Sequence, residues 1–292
     1  MFNIGVLCSG ALGLSTLRHI VKNYNVQFVL TDKKSDAIIE FSKENCIPVF
    51  AGNPRNGKGL TFIKPIEVDI IASINYLFLI QEDIIKHPKK LAFNIHGSLL
   101  PKYRGRTPHV WAIINGEKEA GITAHIIDAN CDTGDIIHQL TVKIESENTG
   151  ADILKKYAEL YIPLVDKVLL AIENDDLKTI PQDNSKATYF GKRTPDDGEI
   201  NWNWSKENIR NWVRAQAYPY PGAFTFFDNE KVIIDKVSTN ENNDFVAENG
   251  EIVQTDPKII IKVKDGLIIL ENIRSKNNTF GVGKRLTNED RK

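Results

Sequence analysis

The sequence has few cysteines, no long apolar run and no excess of charge of either sign. Cys8, Cys46 and Cys131 are its only cysteines, too few and too scattered for a disulfide framework or a zinc site. No stretch approaches the ~20 apolar residues that span a bilayer. Met1-Phe2-Asn3-Ile4 leads straight into strand-like sequence, so no signal peptide is expected. Lys plus Arg number 37 against 38 Asp plus Glu, for a net charge of −1. An extended nucleic-acid surface would show as clustered basic excess, and none is expected here. The full Gly-x-Gly-x-x-Gly fingerprint is missing as well. The first candidate strand, residues 3–7, empties into Cys8-Ser9-Gly10-Ala11-Leu12-Gly13, which keeps only Gly-x-x-Gly. That spacing does not define a dinucleotide site. Backbone amides at Ser9 and Gly10 can still face a phosphate at a helix start, and a tight turn with nothing bound satisfies the same pattern. The expected setting is soluble, reducing and cytoplasmic.

What is present is a chain of 292 residues, 41% hydrophobic, enough for one large domain and a smaller one. Residues 26–31 read as a second strand, 35–45 as a helix and 47–50 as a brief strand. Residues 51–59, with three glycines, read as a mobile solvated loop. Residues 68–74 form a nearly continuous apolar run, as in a strand covered on both faces, and Asn75-Tyr76 follow at its carboxyl end. Strands alternating with helices predict an α/β fold with a Rossmann-like, doubly wound, mostly parallel sheet. After a helix over 108–115 opened by Thr107-Pro108, residues 121–128 and 135–144 read as an antiparallel pair, because the turn between them is too short for a crossover helix. Residues 149–174 keep helical spacing, with a kink expected at Pro163, and 175–200 read as a linker. Ser205 caps a helix to about Gln216. Five short strand candidates between 225 and 270 suggest a small OB-like β-barrel. The predicted domains are residues 1–200 and 201–292. Residues 206–292 carry 14 Lys plus Arg against 13 Asp plus Glu. Trp202, Trp204 and Trp212 cluster near the start of the second domain and suggest a homodimer through it.

The chemistry centres on Phe93-Asn94-Ile95-His96-Gly97-Ser98-Leu99-Leu100-Pro101. Asn94 and His96 lie at the carboxyl end of a strand, where open α/β sheets bind ligands, and two residues apart they share a face. Asn can donate to a developing oxyanion and His can move a proton near neutral pH. Alone, the pair reads first as a turn cap and a hydrogen-bonded core histidine. Asp132 falls in a connecting turn, an ordinary place for Asp. His125 and His138 lie inside strands and read as structural.

Together with Tyr103-Arg104-Gly105-Arg106, Asp132-Thr133-Gly134-Asp135, Ala187-Thr188-Tyr189-Phe190-Gly191 and Pro219-Tyr220-Pro221-Gly222-Ala223-Phe224, this motif closely resembles the folate-dependent formyltransferases. The likeness covers roughly residues 1–225. It is nearest to the enzymes acting on nucleotide-linked amino sugars, such as the formyl-transferring domain of the aminoarabinose pathway, and next to methionyl-tRNA formyltransferase. The resemblance implies formyl transfer from 10-formyltetrahydrofolate, with no metal, to the primary amine of a dTDP- or UDP-linked amino sugar through a tetrahedral intermediate. It makes Asn94 the transition-state stabiliser, His96 the proton-transfer residue and Asp132 the carboxylate supporting the charged imidazole. Phe78, Leu79, Ile80, Arg106 and the turn Asp128, Ala129, Asn130, Cys131 and Asp132 match folate-binding segments.

The tRNA enzymes carry a basic inserted loop after their second strand and a basic carboxyl-terminal barrel. Here Thr31-Asp32-Lys33-Lys34-Ser35 passes directly into a helix and the last domain is charge-balanced. RNA binding would therefore forgo phosphate neutralisation. For a nucleotide sugar, Lys192 and Arg193 could meet the pyrophosphate, Asn75 and Tyr76 the sugar, and Tyr218 or Tyr220 the base. Core packing and a solvated turn account for the same residues. A non-catalytic folate or sugar-nucleotide binding module is the third reading.

Overall fold

The structure, a computed structural model, describes residues 2–240, 245–274 and 280–288. In chain order the elements are β1 (Asn3–Cys8), α1 (Gly10–Asn23), β2 (Asn25–Thr31), α2 (Asp36–Glu44), β3 (Val49–Ala51), α3 (Lys58–Ile63), β4 (Ile70–Ile74), α4 (Glu82–Ile85) and β5 (Leu91–His96). There follow β6 (Arg104–Gly105), α5 (Pro108–Ile114), β7 (Glu119–Ile126), β8 (Ile136–Lys143), α6 (Gly150–Glu173) and β9 (Tyr189–Phe190). The last are α7 (Lys206–Ala215), β10 (Ala223–Phe227), β11 (Glu230–Asn240), β12 (Ile252–Gln254), β13 (Ile259–Val263) and β14 (Gly266–Arg274).

Seven strands form one sheet in the order β3-β2-β1-β4-β5-β7-β8. The pairs from β3 to β5 are parallel, and β7 then runs antiparallel to β5. This is the doubly wound α/β arrangement the alternation predicts. β4 is buried along its whole length, which explains its unbroken apolar run. α1 turns Leu17 and Ile20 inward with Gly13 and Thr16, the spacing of one helix face. Strand β5, bearing Asn94 and His96, lies between β4 and β7. Asn94 registers with Ser73 on one side and His125 on the other, and His96 with Thr123.

The carboxyl-terminal strands form an antiparallel sheet in the order β10-β11-β14-β13-β12. The segment around 283–287 closes it. Phe226 in β10 bridges Thr287, and Glu251 beside β12 bridges Arg285, so first and last strands share one extended neighbour and a small barrel results. α7 packs on this sheet with Ile209 and Val213 buried. Its Ser205 hydroxyl accepts from the Asn208 amide at 3.2 Å, the expected cap.

Several expectations change. The chain falls into two compact units, Met1–Gly105 with Gly121–Thr141 and Lys156–Phe190, and Arg106–Ala120 with Val142–Lys155 and Gly191–Lys292. The division is interleaved along the chain. Residues 51–59 are not wholly solvated: Gly52, Pro54 and Gly59 are buried, and the Gly52 amide donates to the Thr31 carbonyl at 2.8 Å. Thr107 precedes α5 but does not cap it with its side chain; its φ of 49° departs from the extended backbone a capping hydroxyl needs. Pro163, where the sequence places a kink, sits inside α6 as expected. The tryptophans near the start of the second domain pack against their neighbours. Trp202 is 3% exposed in the barrel core, and Trp204 packs edge-on against Trp212 at 4.9 Å. No helix among the described residues is long and apolar enough to cross a membrane.

Candidate active site

His96 ends β5 and is buried. Its Nε2 lies 2.8 Å from the Tyr103 carbonyl. A carbonyl only accepts, so Nε2 carries a proton and is committed to the backbone. The other ring nitrogen, Nδ1, faces the Asp132 carboxylate at 3.5 Å, so any proton exchange by this ring runs through Nδ1. Asp132 has a left-handed backbone with φ 58°, uncommon for a residue with a side chain and frequent at functional turns. Its Oδ2 accepts from the Gly105 amide at 2.9 Å and from the Cys131 thiol. Burial pushes the Asp132 carboxyl up, but the His96 ring, the Gly105 amide, His125 and the Cys131 thiol outweigh that and hold it below the ordinary carboxylate range. The site thus keeps an anion beside His96 at neutral pH.

The clasp around Asp132 requires close backbone approach. A Cβ on Gly105 would stand 2.3 Å from the Phe190 carbonyl oxygen, and one on Gly134 would stand 2.0 Å from that of Ile126. Only glycine fits either place.

Asn94 sits on the same face, and its Nδ2 lies 3.2 Å from His125 Nε2. His125 Nδ1 donates to the Ile126 carbonyl at 2.7 Å, so the neutral ring leaves Nε2 as an acceptor. This fixes which way the Asn94 amide is turned and keeps its second N–H available as a donor. His125 Nε2 is also 3.7 Å from Asp132. Burial pushes the His125 pKa down to about 4, against the opposing pull of Asp132. Read as structural from sequence, His125 is part of the cluster. The register Asn94↔His125 across β5 and β7 is the signal that would have found it.

His109, also buried, is likewise pushed down to about 4 by burial. Between pH 4 and 6.5 the unfolded chain takes up protons that these two native rings refuse, so stability falls as pH is lowered through that window and is full above it. Each should cost ~2 kcal/mol between pH 6.5 and 5. Thermal denaturation is expected to show a midpoint several degrees lower at pH 5 than at pH 7; an unchanged midpoint would refute the assignment.

The remaining predicted residues separate into two groups. Phe78, Leu79 and Ile80 lie on the loop between β4 and α4, with Leu79 half-exposed. The turn from Asp128 is tied by Thr133 Oγ1 donating to Asp128 at 2.7 Å and the Asn130 amide at 3.2 Å, leaving Ala129, Asn130 and Cys131 exposed. Arg106 is exposed directly after Gly105. Asn75 donates to the Ser9 carbonyl at 3.0 Å, and the Tyr76 hydroxyl is buried without a partner among the described residues. The Gly10 amide donates to Ser35 Oγ at 3.0 Å. Arg193 is engaged within its own unit: its guanidinium stacks 5.0 Å from Trp111 and 4.4 Å from Trp212 and donates to Asp197 and Gln216. That geometry fixes where the guanidinium sits. The Tyr220 hydroxyl pairs with His109 Nε2 at 2.9 Å, and Tyr218 and Lys192 are exposed. No group of three or more potential metal ligands occurs among the described residues.

The formyl transferase profile matches residues 14–168, and that of the formyl transferase C-terminal domain matches residues 192–285. The bifunctional polymyxin resistance protein ArnA of Wigglesworthia glossinidia brevipalpis is 36% identical over 293 residues. That match covers 96% of this chain but 43% of ArnA, so the chain spans less than half the length of this curated relative. Among solved structures, WlaRD is described as a sugar 3N-formyl transferase in the presence of dTDP and 5-N-formyl-THF. It is 25% identical with a TM-score of 0.73, covering 95% of this chain and 99% of that one. A 4-N formyltransferase from Francisella tularensis is 26% identical with a TM-score of 0.65, covering 80% and 96%.

Proposed function

This chain belongs to the formyl transferase family, and we propose that it moves a formyl group from 10-formyltetrahydrofolate to the primary amine of a nucleotide-linked amino sugar. The observation that carries the reading is the pair of constraints on His96: Nε2 is committed to Tyr103, and Nδ1 faces Asp132 on the side shared with Asn94. This is the arrangement needed to steady charge on a small carbonyl and move one proton beside it. The second Asn94 N–H donates to the formyl oxygen as negative charge builds there, a donor worth about 3–4 kcal/mol of barrier. His96 Nδ1 takes the proton lost by the attacking amine and returns it to the donor nitrogen as the bond from that nitrogen to the formyl carbon breaks, and Asp132 stabilises the ring while it is charged.

The residues present fit the folate donor. The exposed turn at Ala129, Asn130 and Cys131 adjoins Asp132 in sequence, and Leu79 offers half-exposed apolar surface. The donor supplies the activated formyl carbon; Phe78, Leu79, Ile80, Arg106 and the turn from Asp128 to Asp132 would hold it. The sugar-nucleotide reading is supported by the likeness to WlaRD and ArnA and by the balanced charge of residues 206–292. Asn75 and Tyr76 are the proposed sugar contacts, with Ser9 and Gly10 at the adjoining helix start, and Lys192, Arg193, Tyr218 and Tyr220 are the proposed nucleotide contacts.

The test offers purified protein 10-formyltetrahydrofolate with dTDP- and UDP-linked amino sugars, or with charged initiator tRNA, and follows released tetrahydrofolate. Release that depends on a nucleotide sugar is expected. Release with tRNA alone, or with no acceptor tried, overturns the proposal.

A further inference from the structure

Arg104 is the largest fully buried side chain among the described residues, 1% exposed, and its guanidinium donates to uncharged side chains. Its charge is taken up by neutral groups. Nε and Nη2 donate to Gln182 Oε1 at 3.2 and 2.7 Å, Nη2 donates to Asn184 Oδ1 at 2.9 Å, and Nη1 donates to the Tyr189 hydroxyl. A cation buried this way is costly unless its hydrogen bonds are complete, and here several come from 182–189, the segment read from sequence as a linker.

The location gives the arrangement its meaning. The Tyr103 carbonyl holds His96 Nε2, and the Gly105 amide holds Asp132 Oδ2. Arg104 is the residue between them. The segment is further fixed by the Tyr103 amide donating to Thr188 Oγ1 at 2.8 Å and by the pairing of Arg104 and Gly105 with Tyr189 and Phe190. Gln182 completes the frame from the other side. Its Nε2 donates to the Asp132 carbonyl at 3.0 Å and the Gly134 carbonyl at 2.7 Å, on either side of Thr133. One amide thus ties the guanidinium to the left-handed turn that bears Asp132. Such backbone persists only where its surroundings over-determine it.

We propose that Arg104 and Gln182 are positioning residues that set the spacing between Asp132 and His96 Nδ1, acting through backbone groups without touching substrate. The role in turnover rests on the formyl-transfer reading above; the spacing itself does not. The side chain at 182 must be an amide, because its oxygen accepts from Arg104 while its nitrogen donates to two carbonyls. A carboxylate of the same shape keeps the first function and loses the second.

The experiment compares Gln182→Leu and Gln182→Glu with the parent protein. Gln182→Glu gives Arg104 an anion, so thermal stability is expected at or above that of Gln182→Leu. Both variants should nevertheless lose kcat by about 10²-fold, the cost of misplacing a reacting group by ~1 Å, with KM for donor and acceptor within about 2-fold of the parent. In both, the His96 ring signals in NMR spectra should move while those of His19 and His87 stay in place. Parental kcat in Gln182→Glu, or unmoved His96 signals in both variants, overturns the proposal. A parent that turns over no acceptor while the His96 signals still move refutes the formyl-transfer reading and leaves the positioning role standing.

Discussion

Replacing His96 with alanine is expected to lower kcat by about 10²–10⁴-fold, the range of a lost proton-transfer group. Little change is expected in KM for the folate donor, whose proposed contacts lie at Phe78, Leu79, Ile80, Arg106 and the 128–132 turn. The reason is geometric. Nε2 is tied to the Tyr103 carbonyl at 2.8 Å, which leaves a single working nitrogen, and two of its neighbours are engaged elsewhere: Cys131 donates to Asp132, and the basic nitrogen of His125 is occupied by Asn94. The measurement is steady-state release of tetrahydrofolate, with thermal melting as a control for folding. Because His96 is buried, His96→Asn serves as a second variant that refills part of the space. Activity within about tenfold of the parent in a folded variant would remove His96 from the proposed chemistry.

Replacing Asn94 with alanine should cost about 10²–10³-fold in kcat, the usual effect of removing one oxyanion donor. The loss should again fall on kcat rather than KM, since the interaction strengthens only as charge develops. Asn94→Asp is the sharper test. It fills the same volume but places an anion where negative charge must form, and it has no N–H to give His125 Nε2. Its activity is expected at or below that of Asn94→Ala. If Asn94→Asp retained most of the parental kcat, Asn94 would have a packing role and the developing charge would have to be met elsewhere.

Much of this architecture is legible in the chain. The run over residues 68–74 reads as a covered strand because β4 is buried throughout, and Asn94 and His96 read as one face because β-strand side chains alternate. Asp132 attracts attention only through the family likeness, since nothing local separates it from any turn aspartate. Other features escape sequence because they depend on distant pairing. His125 is assigned by its register opposite Asn94, and an isolated strand histidine carries no sign of its cross-strand neighbour. Gln182 sits 50 positions from Asp132 in a stretch without periodicity. An exposed-looking Lys-Arg pair likewise gives no sign that two tryptophans, at 111 and 212, lie against the Arg193 guanidinium.

The way the carboxyl-terminal sheet is sealed has a bearing on truncated forms of the protein. Thr287 exchanges both main-chain hydrogen bonds with Phe226, and Leu286 donates to the Gly250 carbonyl. A product that stopped near residue 280 would leave the outer rims of β10 and of the strand beginning near Glu251 unsatisfied at once. Bare rims recruit one another between molecules, so such fragments should collect as inclusion bodies even though the amino-terminal sheet retains every one of its own strands.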